Sequence, residues 1–219
     1  LITAGFIVCM SRELRRVVAA IGMLWCATAT LAAPTAAADP QCAPGGPPLG
    51  AATKPVGDLY GQPATLWLTN DDVVGISTDE GTSSLRVLTT SPIRQQAMMI
   101  DARQDGNHQI IVDTGRQADL YTAAGCVITP VVDQLGKPFQ FDLGHRLGNG
   151  DGYGCGDLGD GPALIGFLNL KDQPGMMRRT EIDLDGSVAT IGRSDVVPVT
   201  TDVSCGGLTM EKDGIAAPF

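Results

Sequence analysis

The chain has 219 residues and a net charge of -9, with 43% hydrophobic, 18% charged and 5% aromatic residues. That length suits a single domain, and the acidic balance argues against nucleic acid, whose phosphates need a basic patch. The 28 glycines and 14 prolines together make 42 of 219 residues, below the roughly 25–30% of a low-complexity chain, so they mark turns in a folded protein.

The first 38 residues read as a secretory signal peptide. Met10-Ser-Arg-Glu-Leu-Arg-Arg16 is a short basic segment, residues 17–33 are apolar, and small residues follow up to Asp39-Pro40. Ala36 and Ala38 occupy the two small-residue positions of a cleavage site, which puts the mature start at Asp39. The apolar run is short for a membrane anchor, so no membrane span is expected after cleavage. Residues 1–9 lie upstream of a plausible start at Met10. Arg12, Glu13, Arg15 and Arg16 leave with the leader, so 12 Lys/Arg and 23 Asp/Glu remain and the net charge becomes -11. The expected location is secreted or extracytoplasmic.

Residues 39–57 carry Pro40, Pro44, Pro47, Pro48 and Pro55 and read as an extended arm, with residues 58–219 as the folded domain. Short apolar runs then alternate with turn residues. They are Ala64-Thr-Leu-Trp-Leu68, Val73-Val-Gly-Ile76, Ser84-Leu-Arg-Val-Leu-Thr89, Ala97-Met-Met-Ile100 and Ile110-Ile-Val112, then residues 118–121, 127–132, 139–141, 163–168, 179–184 and 187–191. About a dozen short strands at this spacing predict an all-β fold of sandwich, barrel or propeller type. Asp185-Gly186 between the last two runs is a hairpin signal. One short helix is a candidate at residues 91–99, with Ser91 as N-cap and Pro92 at the first helical position.

Three segments repeat. Gly57-Asp58-Leu-Tyr-Gly61 leads into Leu66-Trp-Leu68. Asp101-Ala-Arg-Gln-Asp105-Gly106 leads into Ile110-Ile-Val112. Gly156-Asp157-Leu-Gly-Asp160-Gly161 leads into Leu164-Ile-Gly-Phe167. Each sets an Asp and a Gly-containing turn before a buried strand, and the intervals suit the four-stranded blade of a propeller. At these residues, and at Gly125-Cys126-Val-Ile-Thr-Pro-Val131 and Arg178-Arg-Thr-Glu-Ile-Asp-Leu-Asp-Gly186, the chain resembles the FG-GAP/VCBS (integrin-alpha-like) repeat family. More narrowly, it resembles small exported actinobacterial proteins of that type. The resemblance implies a propeller-like domain of about three repeats of short antiparallel four-stranded sheets, with little or no helix.

The family's turn resembles a D-x-D/N-x-D-G calcium loop. Asp101, Asp105 and Asn107 in the second copy, and Asp151, Asp157 and Asp160 around the third, are the weak calcium candidates, because Ca²⁺ takes carboxylate and carbonyl oxygens. The departures count against a site: Arg103 stands where a ligand would sit, and the third loop is shortened. No cofactor is otherwise expected.

Four cysteines follow the leader: Cys42, Cys126, Cys155 and Cys205. An even number in an exported chain reads as two disulfides, in one of three connectivities. Cys126 and Cys155 lie in the two segments closest to the family, which points to Cys126–Cys155 and hence Cys42–Cys205.

Catalytic signals are sparse. There is no G-x-S-x-G elbow, and His108 and His145 lie in polar or Gly-rich segments. The expected function is a non-catalytic binding or interaction module, with a protein or glycan of the cell envelope as partner. The alternative is a secreted hydrolase using carboxylates in a central cleft, which would require at least two buried, convergent carboxylates with raised pKa values.

Overall fold

A strand buried on both faces carries apolar side chains at every position, and one buried on a single face carries them at alternate positions. This difference sorts the sheets of the chain. The computed structural model describes residues 42–144, 152–199 and 204–219. In chain order the strands are β1 (Ala52–Leu59), β2 (Gln62–Leu68), β3 (Val73–Thr78), β4 (Gly81–Arg86), β5 (Gln96–Ile100), β6 (His108–Asp113), β7 (Gln117–Ala124) and β8 (Val127–Pro130). After these come β9 (Val132–Asp133), β10 (Gln140–Asp142), β11 (Gly152–Asp157), β12 (Pro162–Asn169), β13 (Met176–Asp185), β14 (Val188–Pro198), a four-residue helix α1 (Met210–Asp213) and β15 (Ile215–Ala216). The fold is all-β, and α1 is the one α-helix among the described residues.

The strands form three sheets. The first is the antiparallel meander β1-β2-β3-β4. The second runs β10-β7-β6-β5-β15, with β8 also paired to β7. The third runs β11-β12-β13-β14-β9, in which β9 is parallel to β14.

The second sheet lies between the other two. Ala97, Met99, Ile110, Val112, Tyr121 and Ala123 point to one side and pack with Leu59, Leu66, Leu68, Val74 and Ile76 of the first sheet. Met98, Ile100, Ile111, Ala118 and Leu120 point to the other side and pack with Leu164, Ile182 and Ala189 of the third. That is why Ala97-Met-Met-Ile100 and Ile110-Ile-Val112 are apolar without interruption: their side chains supply both interfaces. β1, by contrast, alternates half-buried with exposed positions over most of its length. On the far side of the first sheet, Trp67 is 2% exposed and its indole N–H donates to Ser77 Oγ at 3.0 Å. Its ring lies where a side chain at Gly75 would project.

Several local expectations are corrected. Residues 91–99 do not form a helix. Ser91 Oγ accepts from the Ile93 N–H at 3.2 Å, a local turn, and the chain enters β5 at Gln96. Burial of residues 97–100 on both faces outweighs the helix-start signal. The arm at 39–57 ends early, because β1 begins at Ala52. The Gly-rich stretch ahead of the third Asp/Gly segment forms a strand over Gly152–Asp157. The 185–186 hairpin is present one residue later: Asp185 pairs with Val188, leaving Gly186 (φ +58°) and Ser187 in the turn.

The disulfide pairing is also corrected. The bonds join Cys42 to Cys126 (Cα–Cα 5.8 Å) and Cys155 to Cys205 (Cα–Cα 4.7 Å). The cause is strand pairing. Ala43 exchanges backbone hydrogen bonds of 2.9 and 2.8 Å with Thr82 on the outer edge of β4. The Ile128 N–H of β8 donates to Ser83 Oγ at 3.3 Å, so the β7–β8 turn carrying Cys126 arrives beside Cys42. Cys205 is buried in the core between the second and third sheets, which also receives Cys155. Two disulfides are compatible with an extracellular protein. No helix among the described residues is long and apolar enough to cross a membrane. Ala36, Ala38 and Asp39 of the expected cleavage site lie outside the described residues.

Candidate functional site

The three Asp/Gly segments take the same place in each sheet. They lie at the first hairpin of each meander, β1–β2, β5–β6 and β11–β12, although Asp58 of the first copy sits within β1, paired with Pro63. In the second, Asp101 accepts from the backbone N–H groups of Asp105 (3.1 Å) and Gly106 (2.8 Å), and Asp105 accepts from that of Asn107 at 2.9 Å. In the third, Asp157 accepts from Gly159 (2.6 Å) and Gly161 (3.0 Å). These N–H groups hold the Asp157 carboxyl below the usual range, and the Asn107 N–H does the same for Asp105. The carboxylates thus act first as turn staples.

This use conflicts with calcium ligation. Arg103 reaches from the β5–β6 loop to an ion pair with Asp183 on β13. Asp160 pairs with Arg193, whose Nε is also 3.7 Å from Glu181. Asp105, Asp160, Glu181 and Asp183 line one depression together with Arg103 and Arg193, which pair with three of these four carboxylates. Among the described residues no three His, Cys, Asp or Glu side chains converge as a metal site. Asp151 and His145 lie outside those residues.

Beside this charged array is a cleft of about 370 Å³ to which all three sheets contribute. Tyr60, Asn107, His108, Thr122, Thr129 and Ser187 offer polar groups around it, and Ala123, Leu164, Ile182 and Leu184 are among its apolar linings. Within the loop, buried Gln109 donates to the Asn107 carbonyl (2.6 Å) and accepts from the Ala102 N–H (3.1 Å), which fixes the loop's shape. His108 Nδ1 is buried without a hydrogen-bond partner, an arrangement rare in folded proteins.

Tyr60 is the conspicuous residue. Leu59 pairs with Gln62, so Tyr60 and Gly61 alone make the β1–β2 turn, with φ +53° and +82°. Two successive positive φ values define a type I′ turn, whose first position favours Asn, Asp or Gly. A tyrosine there is strained by roughly 1–3 kcal/mol. Its ring is 62% exposed, and its hydroxyl donates to Asn107 Oδ1 at 3.3 Å, joining the first sheet's turn to the second's.

A second cavity, of about 170 Å³, opens between the tail of β4 and the outer edge of the second sheet. It contains Asp119, 7% exposed, whose Oδ1 accepts from Gln140 Nε2 (2.6 Å) and Gln117 Nε2 (3.2 Å). Burial pushes this carboxyl up, against the opposing effect of the two amides. Its cavity holds no second carboxylate, so the pair required by the hydrolase alternative does not form around it.

Asp101, Asp105, Asn107, Asp157 and Asp160 were legible in the sequence as turn residues, whereas Tyr60 and Asp119 were not legible as site residues. A bulky residue before Gly at a hairpin and an acid inside an apolar strand were the available signals. No family model, curated protein or solved structure matches this chain.

Proposed function

We propose that this protein is an exported, non-catalytic binding module on a propeller-like scaffold of FG-GAP/VCBS type, with a protein or glycan of the cell envelope as its partner. The scaffold reading is supported by three four-stranded meanders, β1–β4, β5–β8 and β11–β14, each with one of the Asp/Gly segments at its first hairpin. Their face-to-face stacking is what adjacent blades do to bury surfaces that one blade cannot bury alone.

The observation that carries the binding reading is Tyr60. A strained, exposed aromatic residue tied by a hydrogen bond over a cleft is a ligand platform prepared before the ligand arrives. The polar groups around it orient a ligand, and the apolar wall supplies contact.

The test is two-dimensional NMR of the purified protein titrated with fractionated envelope glycans and envelope proteins. An active fraction is expected to shift the amide signals of Asn107, Thr122 and Ser187 together. Binding that leaves these signals unmoved would overturn the assignment to this cleft. Release of a cleaved glycan or peptide during titration would favour the hydrolase instead.

A further inference from the structure

The structure assigns a second binding site to the Asp119 cavity: a receptor for a lysine side chain presented by a partner protein. This cavity shares no lining residue with the Tyr60 cleft. Asp119 is nine-tenths buried, and both hydrogen bonds it accepts fall on one oxygen, Oδ1. It forms no ion pair among the described residues. Arg86, at the cavity's rim, is exposed and makes no ion pair with it. A buried carboxylate without a cation is costly, and an ammonium that approaches its second oxygen relieves that cost.

The surroundings select which cation enters. Tyr121 lies two residues along the same strand and on the same face, and Phe139 lines the cavity as well. Aromatic faces attract ammonium groups through the ring quadrupole. Leu85, Leu88 and Val131 add apolar surface, which fits a hydrocarbon stem better than a hydrated metal ion. A carboxylate, two aromatic rings and an aliphatic wall together match a butyl stem ending in an ammonium. Leu88 is 82% exposed at the mouth, leaving apolar surface for the chain that carries the lysine. The acidic net charge of -9 favours the approach of a basic partner.

The test uses Nα-acetyl-lysine methylamide as probe and Nα-acetyl-norleucine methylamide, which replaces the ammonium by a methyl group, as its neutral isostere. NMR titration is expected to shift the signals of Asp119, Tyr121 and Gln140 with the lysine probe and to show at least tenfold weaker binding of the norleucine probe. Asp119→Asn keeps an oxygen for Gln117 and Gln140 and is expected to weaken lysine binding at least tenfold at a Tm no lower than the parent's. Phe139→Leu is expected to weaken it severalfold, and Tyr60→Asn to leave it unaltered. Equal binding of the two probes, or full binding by a folded Asp119→Asn, would overturn the proposal. Tighter binding of butylammonium than of the lysine probe would overturn the assignment to a partner chain.

Discussion

At the scale of single residues, two buried side chains make opposite demands. Trp67 needs the space above Gly75, because any β-carbon there meets the indole ring. Gly75→Ala should therefore destabilise the protein by about 2 kcal/mol, read from urea denaturation, and should blue-shift or broaden tryptophan fluorescence little if the ring merely tilts. Asp119 gives a pH signature. Its folded pKa is raised above the ordinary value of 3.8 by burial, so the native state holds the proton more tightly than the unfolded chain. The stability this contributes is complete below about pH 4 and is lost as pH rises through the folded value. Asp119→Asn should consequently gain stability relative to the parent between pH 4 and neutrality, in denaturation measured across that range. A gap that does not change with pH would contradict the burial described for this carboxyl. Trp67 was legible as core but its demand on Gly75 was not, and Asp119 reads as the polar half of an alternating strand until the second sheet is seen to be buried on both sides.

Elements were more legible than residues. Eleven apolar runs named from the sequence fall on or overlap strands, because burial of a pleated surface leaves a period that propensity alone does not. The exceptions have local causes. β11 was hidden because Gly152, Gly154 and Gly156 alternate along it and supply no apolar signal; Gly156 packs against Ile165, which a side chain there would crowd. The expected helix at 91–99 failed because its apolar residues are needed on both faces of β5. The repeated turns were legible as turns, but their chemistry was not. Arg103 places a cation at the third position of the β5–β6 loop, and both oxygens of Asp101 hold backbone N–H groups. Millimolar calcium should leave the melting temperature unchanged. A rise of several degrees would show that the loop rearranges around the ion. Arg103→Ala should cost less than about 1 kcal/mol, since its pair with Asp183 is solvent-exposed.

At the scale of the molecule, three sheets are held by two interfaces, and a disulfide reinforces each. Cys42–Cys126 ties the edge of the first sheet to the second, across 84 residues. Cys155–Cys205 ties the third sheet to the C-terminal segment that adds β15 beside β5, across 50 residues. By loop closure each bond should contribute roughly 4 kcal/mol, so replacing Cys42 and Cys126 with Ala should lower the unfolding free energy by about that amount. Non-reducing peptide mapping should find these two pairs. A Cys126–Cys155 peptide would contradict the layer order. The pairing could not be read from spacing, because it depends on the arm adding to β4, a non-local contact made by residues whose prolines suggest a linker. The cleft is similarly non-local: its residues come from five hairpins and loops, and only the assembled stack brings Tyr60 to Asn107 and Ser187.

On the function proposed above, Tyr60 trades stability for binding. Asn-Gly is the preferred type I′ pair, so Tyr60→Asn should relieve the strained turn. The decisive measurement is a thermal melt and a ligand titration on the same Tyr60→Asn samples, using the envelope fraction that shifts the cleft signals. A melting temperature higher by a few degrees, together with binding weakened at least tenfold, is expected. Retained binding, or a lower melting temperature, would contradict it.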